Sequence, residues 1–465
     1  MSTLAIVVSL ILLIVLAYRG ITVLLLAPLM ASLAVLLSGD GGLLLPIYTD
    51  TFMKALGGYL IKFFPLFILG ALFGQLMADS GAAHAIARWI IKRLGTRHVV
   101  LTVVLACAIL TYGGVSLFVV AFAVFPIGAA MFRETGTPKR LIPGAIALGS
   151  FTFTMTALPG TPAIQNAIPI PFFHTTSFAA PGLGIIAGAM MLGLGTWWLQ
   201  SRVSRATRRD EGYGQHPDEP IETLDAAAGV PEISTLAAFT PLVMVILLNG
   251  LLTYWILPSL DFSGLPEARF GTLDPGAMLG LWAIIIALLV SCAWLIVSRW
   301  RHWADLKGTI NKGCFGSMLP VFNTASEVGY GAVIASLAGF VVIRDAVLSL
   351  APGNPLISEA VSMNVLAAVT GSSSGGMSIA LSVLGDDYLR MANAVGLNPE
   401  LMHRVATIAA GGMDTLPHSG AVITLLAICG LTHRQSYPNI AMVTIVVPMF
   451  TLVAVITLGT LFGSF

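Results

Sequence analysis

Asp414 and His418 lie four residues apart around Leu416 and Pro417, inside an apolar stretch that runs from 401 to 430. An ionisable side chain at membrane depth is expensive and points to function. The carboxylate could bind a proton or a cation, and an imidazole changes charge in the physiological range. The ten-residue pattern around them occurs a second time. Met155-Thr-Ala-Leu-Pro-Gly-Thr-Pro-Ala-Ile164 parallels Met413-Asp-Thr-Leu-Pro-His-Ser-Gly-Ala-Val422. Thr156 stands where the second copy has Asp414, and Gly160 where it has His418. Gly/Pro interruptions at corresponding places in two halves of an apolar chain point to a transporter's binding site. The unshared pair, Asp414 and His418, is therefore the candidate for proton coupling, and the shared residues are candidates for a substrate cradle.

Glu327, within Asn323-Thr-Ala-Ser-Glu-Val-Gly329, is a third coupling candidate, and its first-half counterpart region contains Gln75. Hydroxyls gather at the interruptions. Thr152, Thr154, Thr156 and Thr161 line the first break; Thr370, Ser372, Ser373, Ser374 and Ser378 line a glycine-rich turn; Thr415 and Ser419 flank the last break. Gly114, Ser116, Gly160, Gln165 and Asn166 join Thr154, Thr156, Thr161, Ser373, Ser374, Ser378, Thr415 and Ser419 as candidate substrate contacts. A helix that ends at mid-membrane presents unpaired N–H groups and the positive end of its dipole, which together suit a carboxylate. No Arg or Lys is expected close to these breaks, so backbone amides and hydroxyls are the expected anion donors. The competing reading of any single Ser or Thr is a bond to its own helix carbonyl, and of His418 a carbonyl cap.

These residues need long apolar elements to hold them. The chain has 465 residues, 57% hydrophobic and 10% charged, with mean hydropathy +0.91. Soluble chains carry about 25% charged residues. Most charges here fall between apolar runs of roughly the 17–25 residues that cross a bilayer. The pattern predicts an all-α polytopic membrane protein and excludes a string of soluble domains. A net charge of +1 gives no basis for a nucleic-acid partner. Cys107, Cys292, Cys314 and Cys429 lie singly, without metal-ligand spacing, so neither a metal nor a cofactor is expected. No nucleotide loop, H-E-x-x-H or G-x-S-x-G is present, so no enzyme is expected. The first apolar run lacks a basic leader and a cleavage site and reads as a retained span.

The repeat extends further. Pro65-Leu-Phe67 matches Pro320-Val-Phe322, Gly113-Gly-Val-Ser116 matches Gly375-Gly-Met-Ser378, and Pro138 matches Pro399, at offsets of 255, 262 and 261 residues against 258 for the opening pair. Residues 1–200 and 233–465 are thus expected to be two repeats, joined by a polar cytoplasmic linker over 201–232. Basic segments at 83–97 (amphipathic), 133–140, 201–212 and 299–313 are assigned to the cytoplasm, and acidic loops to the outside. That pattern makes the repeats inverted in topology. It requires residues 98–132 and 357–385 to form re-entrant hairpins, which gives about ten transmembrane helices, two hairpins and two broken helices.

Across nearly its whole length the chain resembles the gluconate permease (GntP) family of the wider ion-transporter superfamily. The resemblance is carried by G-G-V-S-L-F with R-L-I-P-G-A-I-A-L-G, by T-A-L-P-G-T-P-A-I-Q-N-A-I-P, and by G-G-M-D-T-L-P-H-S-G-A-V. It implies proton-coupled uptake of a small organic anion across the bacterial inner membrane. Superfamily relatives imply a homodimer formed through a scaffold domain and an elevator-like movement. Gluconate permeases are richer in histidine and proline at the first break and carry a His/Asn/Asp cluster at the second. Those departures bring the chain nearer a branch associated with short hydroxy- or keto-acids such as 3-hydroxybutyrate. The expected function is proton-coupled symport of a hydroxy- or sugar-acid monocarboxylate. A sodium-coupled carrier is the alternative, followed by an ion channel or an intramembrane enzyme.

Overall fold

The computed structural model describes residues 2–19, 21–96, 98–216, 233–262, 274–351 and 353–465. Among them the secondary structure is helical, without strands. Five helical runs are each long and apolar enough to cross a bilayer: Gly41–Asp79, Pro181–Thr207, Thr235–Ser259, Pro275–Ser298 and His433–Phe462. With the shorter apolar helices Ser2–Tyr18 and Val23–Leu37, they make this a multi-pass membrane protein.

One group of helices packs side by side. Lys54–Asp79 runs along Leu306–Ser336 and Pro275–Ser298, Val23–Leu37 covers Leu306–Ser336, and Thr235–Leu251 packs on Pro275–Ser298. A second group contains the interrupted elements. Val99–Tyr112 and Leu117–Glu134 form one helical hairpin, and Pro355–Thr370 and Ser373–Ala394 form another. Pro399–Gly412 packs on the second hairpin and on Val447–Phe462, while Ile142–Ser150 packs on Val99–Tyr112. The second hairpin also leans on Leu306–Ser336, joining the two groups.

Each hairpin turns where its sequence permits. The first reverses at Gly114 (φ +96°) and the second at Gly371 (φ +65°), a left-handed geometry that favours glycine. Each returning helix starts on a serine N-cap, Ser116 and Ser372. These tips lie 257 residues apart, close to the offsets of the other matched segments. The Gly-Gly-x-Ser alignment is therefore out of step with the geometry. Gly375 and Ser378 lie inside the returning helix, whereas Gly114 is the turn itself.

The first break is longer than its Leu-Pro-Gly-Thr-Pro sequence suggests. The helix stops at Ser150, and single turns follow at Phe153–Thr156, Ile164–Ala167 and Ile170–Phe173. Pro159 and Pro162 cannot donate backbone hydrogen bonds. Thr152 and Thr154 donate instead to the carbonyls of Leu148 (2.6 Å) and Gly149 (2.9 Å), covering the end of the preceding helix.

Several boundaries differ from the sequence reading, among them the returning arm of the second hairpin, which runs to Ala394 rather than 385. The segment expected to open the linker at 201 is still helix to Thr207, and 217–232 lie outside the described residues. Lys307 and Lys312 sit on the helix Leu306–Ser336 rather than in a loop, because Asp305 caps it by accepting from Gly308 N at 2.8 Å. That helix then bends by 98° into Phe340–Leu348, a break that no proline announces.

Candidate substrate site

The tips and breaks meet. Tyr112 donates its hydroxyl to the Pro159 carbonyl at 2.7 Å, and Pro162 packs against Gly114 so closely that a Cβ there would lie 2.8 Å from its ring. The first tip thus seats on the first break. Ser116 abuts Gly74 on the neighbouring long helix, whose missing side chain admits it. The second tip seats on the second break in the same way. Gly371 faces the His418 ring and the Ser419 backbone, and the ring lies near the Ala368 carbonyl in the outgoing arm of the hairpin.

Ser373 joins the two breaks. Its hydroxyl accepts from Gln165 Nε2 at 3.1 Å, and both its hydroxyl and its backbone N–H face the Asp414 carboxyl. A chain of donors therefore runs from Gln165 through Ser373 to Asp414. Asp414 is half-buried, and its Oδ1 has no hydrogen-bond partner among the described residues. Asn364, across from Gly412, likewise leaves its Oδ1 unpartnered. Ser374 pairs with Ser372 at 3.2 Å, and Ser372 caps the returning helix by accepting from Gly375 N at 3.1 Å. Ser419 caps Gly420–Ile428 without a side-chain cap bond. Gln165, Ser373, Ser374, Asp414, His418 and Ser419 thus form one cluster at the second tip.

Glu327 occupies the other side of that returning helix. Its carboxylate lies against Gly375, so closely that a Cβ there would push the carboxylate aside. Glu327 is buried and its Oε2 is unpartnered among the described residues, and Ser378 reaches Tyr59 at 3.5 Å beside it.

The other candidates are held by the fold. The hydroxyls of Thr154 and Thr156 donate to helix carbonyls, that of Thr156 to Thr152 at 3.1 Å. The Thr161 hydroxyl accepts from Ala163 N at 3.4 Å, and Thr415 pairs with Thr444 at 2.6 Å. Gly160 (φ +80°) donates its N–H to Ser177 at 2.8 Å and lies under the Phe178 ring. Asn166 spends its whole amide inside the protein. Its Nδ2 donates to the Thr161 and Ser177 carbonyls, and its Oδ1 accepts from His403 and Arg404.

Arg404 corrects the expectation that no basic residue stands near the breaks. It is fully buried, ten positions ahead of Asp414 along the chain, and tertiary packing carries it to the first break instead. Nη1 donates to Thr156 O (3.0 Å) and Asn166 Oδ1 (3.1 Å), while Nε and Nη2 donate to Ala179 O (3.2 and 2.7 Å). Thr407, one turn along, also donates to Thr156 O at 2.7 Å. The first break strands carbonyls that water cannot reach, and the guanidinium's fork of donors covers them. His403 completes the set by bonding Thr175 at 2.6 Å. The sequence carried a signal: an Arg and a His adjacent within an apolar stretch, with a Thr one turn on.

Comparison with known proteins fits this architecture. The chain matches the family model described as GntP family permease over residues 1–458. It is 44% identical over 456 residues to the uncharacterized transporter YxjC of Bacillus subtilis (strain 168), covering 95% of this chain and 96% of that one. A shorter match, 36% identical over 103 residues, links 22% of the chain to 23% of the high-affinity gluconate transporter of Escherichia coli (strain K12). Among solved structures, Neisseria gonorrhoeae MtrF superposes with a TM-score of 0.57 at 14% identity over 92% of this chain and 85% of that one. Alcanivorax borkumensis YdaH superposes with a TM-score of 0.54 at 16% identity over 87% and 86%. Those two likenesses concern the fold alone. Interrupted helices meeting in a hydroxyl-lined cluster, and a family match running almost end to end, lead to one statement: this chain belongs to the GntP permease family of membrane transporters.

Proposed function

We propose that the protein is a proton-coupled symporter of a small hydroxy- or sugar-acid monocarboxylate in a bacterial inner membrane. The observation that carries this reading is Asp414: a half-buried carboxylate with an unpartnered oxygen, set where the second hairpin tip and both breaks converge. An acid in that position binds a proton at lower cost than it holds a bare charge. Protonation also removes the negative charge that would repel an incoming carboxylate. The anion would lie beside Gln165, Ser373, Ser374 and Ser419, near the helix N-termini at Ser372 and Ser419. Glu327 is the second candidate proton acceptor, on the opposite face of the same helix. Arg404, though bound to carbonyls, adds a fixed positive charge at the first break. The short match to a gluconate transporter supports a hydroxylated acid.

In this reading the two hairpins are re-entrant, the two halves are inverted repeats, and the interrupted group of helices moves against the straight one. The protein would work as a homodimer through the straight helices. Counterflow in liposomes with a panel of short hydroxy acids and sugar acids tests the substrate class. Uptake under an imposed pH gradient, with and without sodium at fixed pH, tests the coupling ion. Accumulation that follows sodium and ignores the pH gradient would replace this reading with the sodium-coupled one. Currents without saturable exchange would replace it with a channel.

A further inference from the structure

Glu359 lies outside the cluster described above. It sits near the start of Pro355–Thr370, the outgoing arm of the second hairpin, about 18 Å of helix rise from the tip. It is fully buried, and neither carboxylate oxygen has a hydrogen-bond partner among the described residues. An ionised carboxylate with no partner in a dry interior costs several kcal/mol, by order of magnitude. A neutral carboxyl group costs far less, so this packing requires the acid to hold a proton.

Among the described residues, the cations on the neighbouring elements are committed elsewhere. Tyr388, on the returning arm, is the titratable group that faces Glu359, and its hydroxyl is tied to Ser362 at 2.8 Å and to Ser358 O at 3.3 Å. Arg390, farther along that arm, pairs with Asp387, next to Asp386. On Phe340–Leu348, Arg344 pairs with Asp345. On Pro399–Gly412, His403 and Arg404 are committed to the first break.

We propose that Glu359 is a further proton-binding site, separate from Asp414 and Glu327 and carried by the second hairpin. The acid is protonated while the hairpin is packed. When the hairpin swings its outer arm toward water, the O–H bond breaks, the electron pair stays on the carboxylate, and the proton passes to water. Repacking then requires a proton to be taken up again. This gives the hairpin a proton of its own to carry, and it rests on the symporter reading for its link to transport.

The test uses the full-length protein in liposomes. The slope of the logarithm of the substrate accumulation ratio against imposed pH difference counts coupled protons. In Glu359→Gln the slope should fall by one proton per substrate, while Glu359→Asp should restore it. Counterflow above the level of empty liposomes establishes that each variant is folded. An unchanged slope in Glu359→Gln overturns the proposal. Infrared spectroscopy supplies an independent arm. The carbonyl stretch of a buried protonated carboxyl should be present in the wild-type protein and shifted in Glu359→Asp, and its absence overturns the proposal. If the wild-type protein shows no response to a pH gradient, the symporter reading falls, while the infrared band still decides whether Glu359 holds a proton. That band also decides the matter should Glu359→Gln fail to fold.

Discussion

The two breaks share a sequence pattern and differ in what the fold does with it. At the first, Thr152, Thr154 and Thr156 bond helix carbonyls, Gly160 and Asn166 bond the loop at Ser177, and Arg404 covers the carbonyls of Thr156 and Ala179. Little there is left to bind a solute. At the second, Asp414 keeps a carboxylate oxygen without a partner among the described residues, and the seat of the hairpin tip lies against Ser373 and His418. A repeated motif can thus be closed into scaffold in one copy and left open for chemistry in the other. The deciding residue, Arg404, belongs to neither copy of the motif; it lies on the helix that leads into the second.

The comparison breaks most sharply at Asp414. Asp414→Asn should abolish accumulation driven by a pH gradient, whereas Thr156→Val, at the matched position, should cost only about 1 kcal/mol of stability and keep coupling. Transport assays of both variants read the contrast; coupled accumulation by Asp414→Asn would end the distinction between the breaks. Next in size is Arg404→Gln. It strands buried carbonyls at about 1–3 kcal/mol each, so the unfolding midpoint in detergent should drop by many degrees. Gly160→Ala should cost about 1–3 kcal/mol, since it combines a left-handed φ with a Cβ only 2.5 Å from Phe178. The same stability assay reads it. Gln165→Ala removes one link between the breaks and should raise KM about fivefold, roughly the effect of one neutral hydrogen bond.

The smallest effect lies in a polar loop. Arg140 binds Glu211 through two bonds of 2.6 and 2.8 Å, docking the segment that follows Pro181–Thr207 onto the turn that leads into Ile142–Ser150. The bond to Arg140 holds the Glu211 carboxyl below its ordinary value and raises that of Arg140. A depressed acid contributes stability that is present above its unfolded value and is lost as pH falls through its folded one. The pair is partly exposed, so the contribution is at most about 1 kcal/mol. Thermal midpoints of Arg140→Ala and the wild-type protein should therefore differ at neutral pH and converge in acid.

Much of the molecule was legible from its residues. The apolar runs gave the helices, Gly114 marked the first turn, and the Leu-Pro segments marked breaks. The hydroxyl-rich tips and Asp414 followed from polar residues placed where lipid excludes water. Less was legible where local sequence is silent. The 98° bend after Ser336 has no proline to announce it. The alignment of Gly113–Ser116 with Gly375–Ser378 followed residue identity, while the turn followed the glycine with positive φ.

The sequence by itself determined that the chain is a helical membrane protein with interrupted segments, because hydrophobicity and the backbone limits of glycine and proline act locally. Tertiary structure alone decided which interruptions stay open. Arg404 reaches the first break from a helix more than two hundred residues away in sequence, and Ser373 links Gln165 to Asp414 over a similar separation. Hydrogen bonds of that kind depend on where packed helices bring their side chains. No local pattern records it.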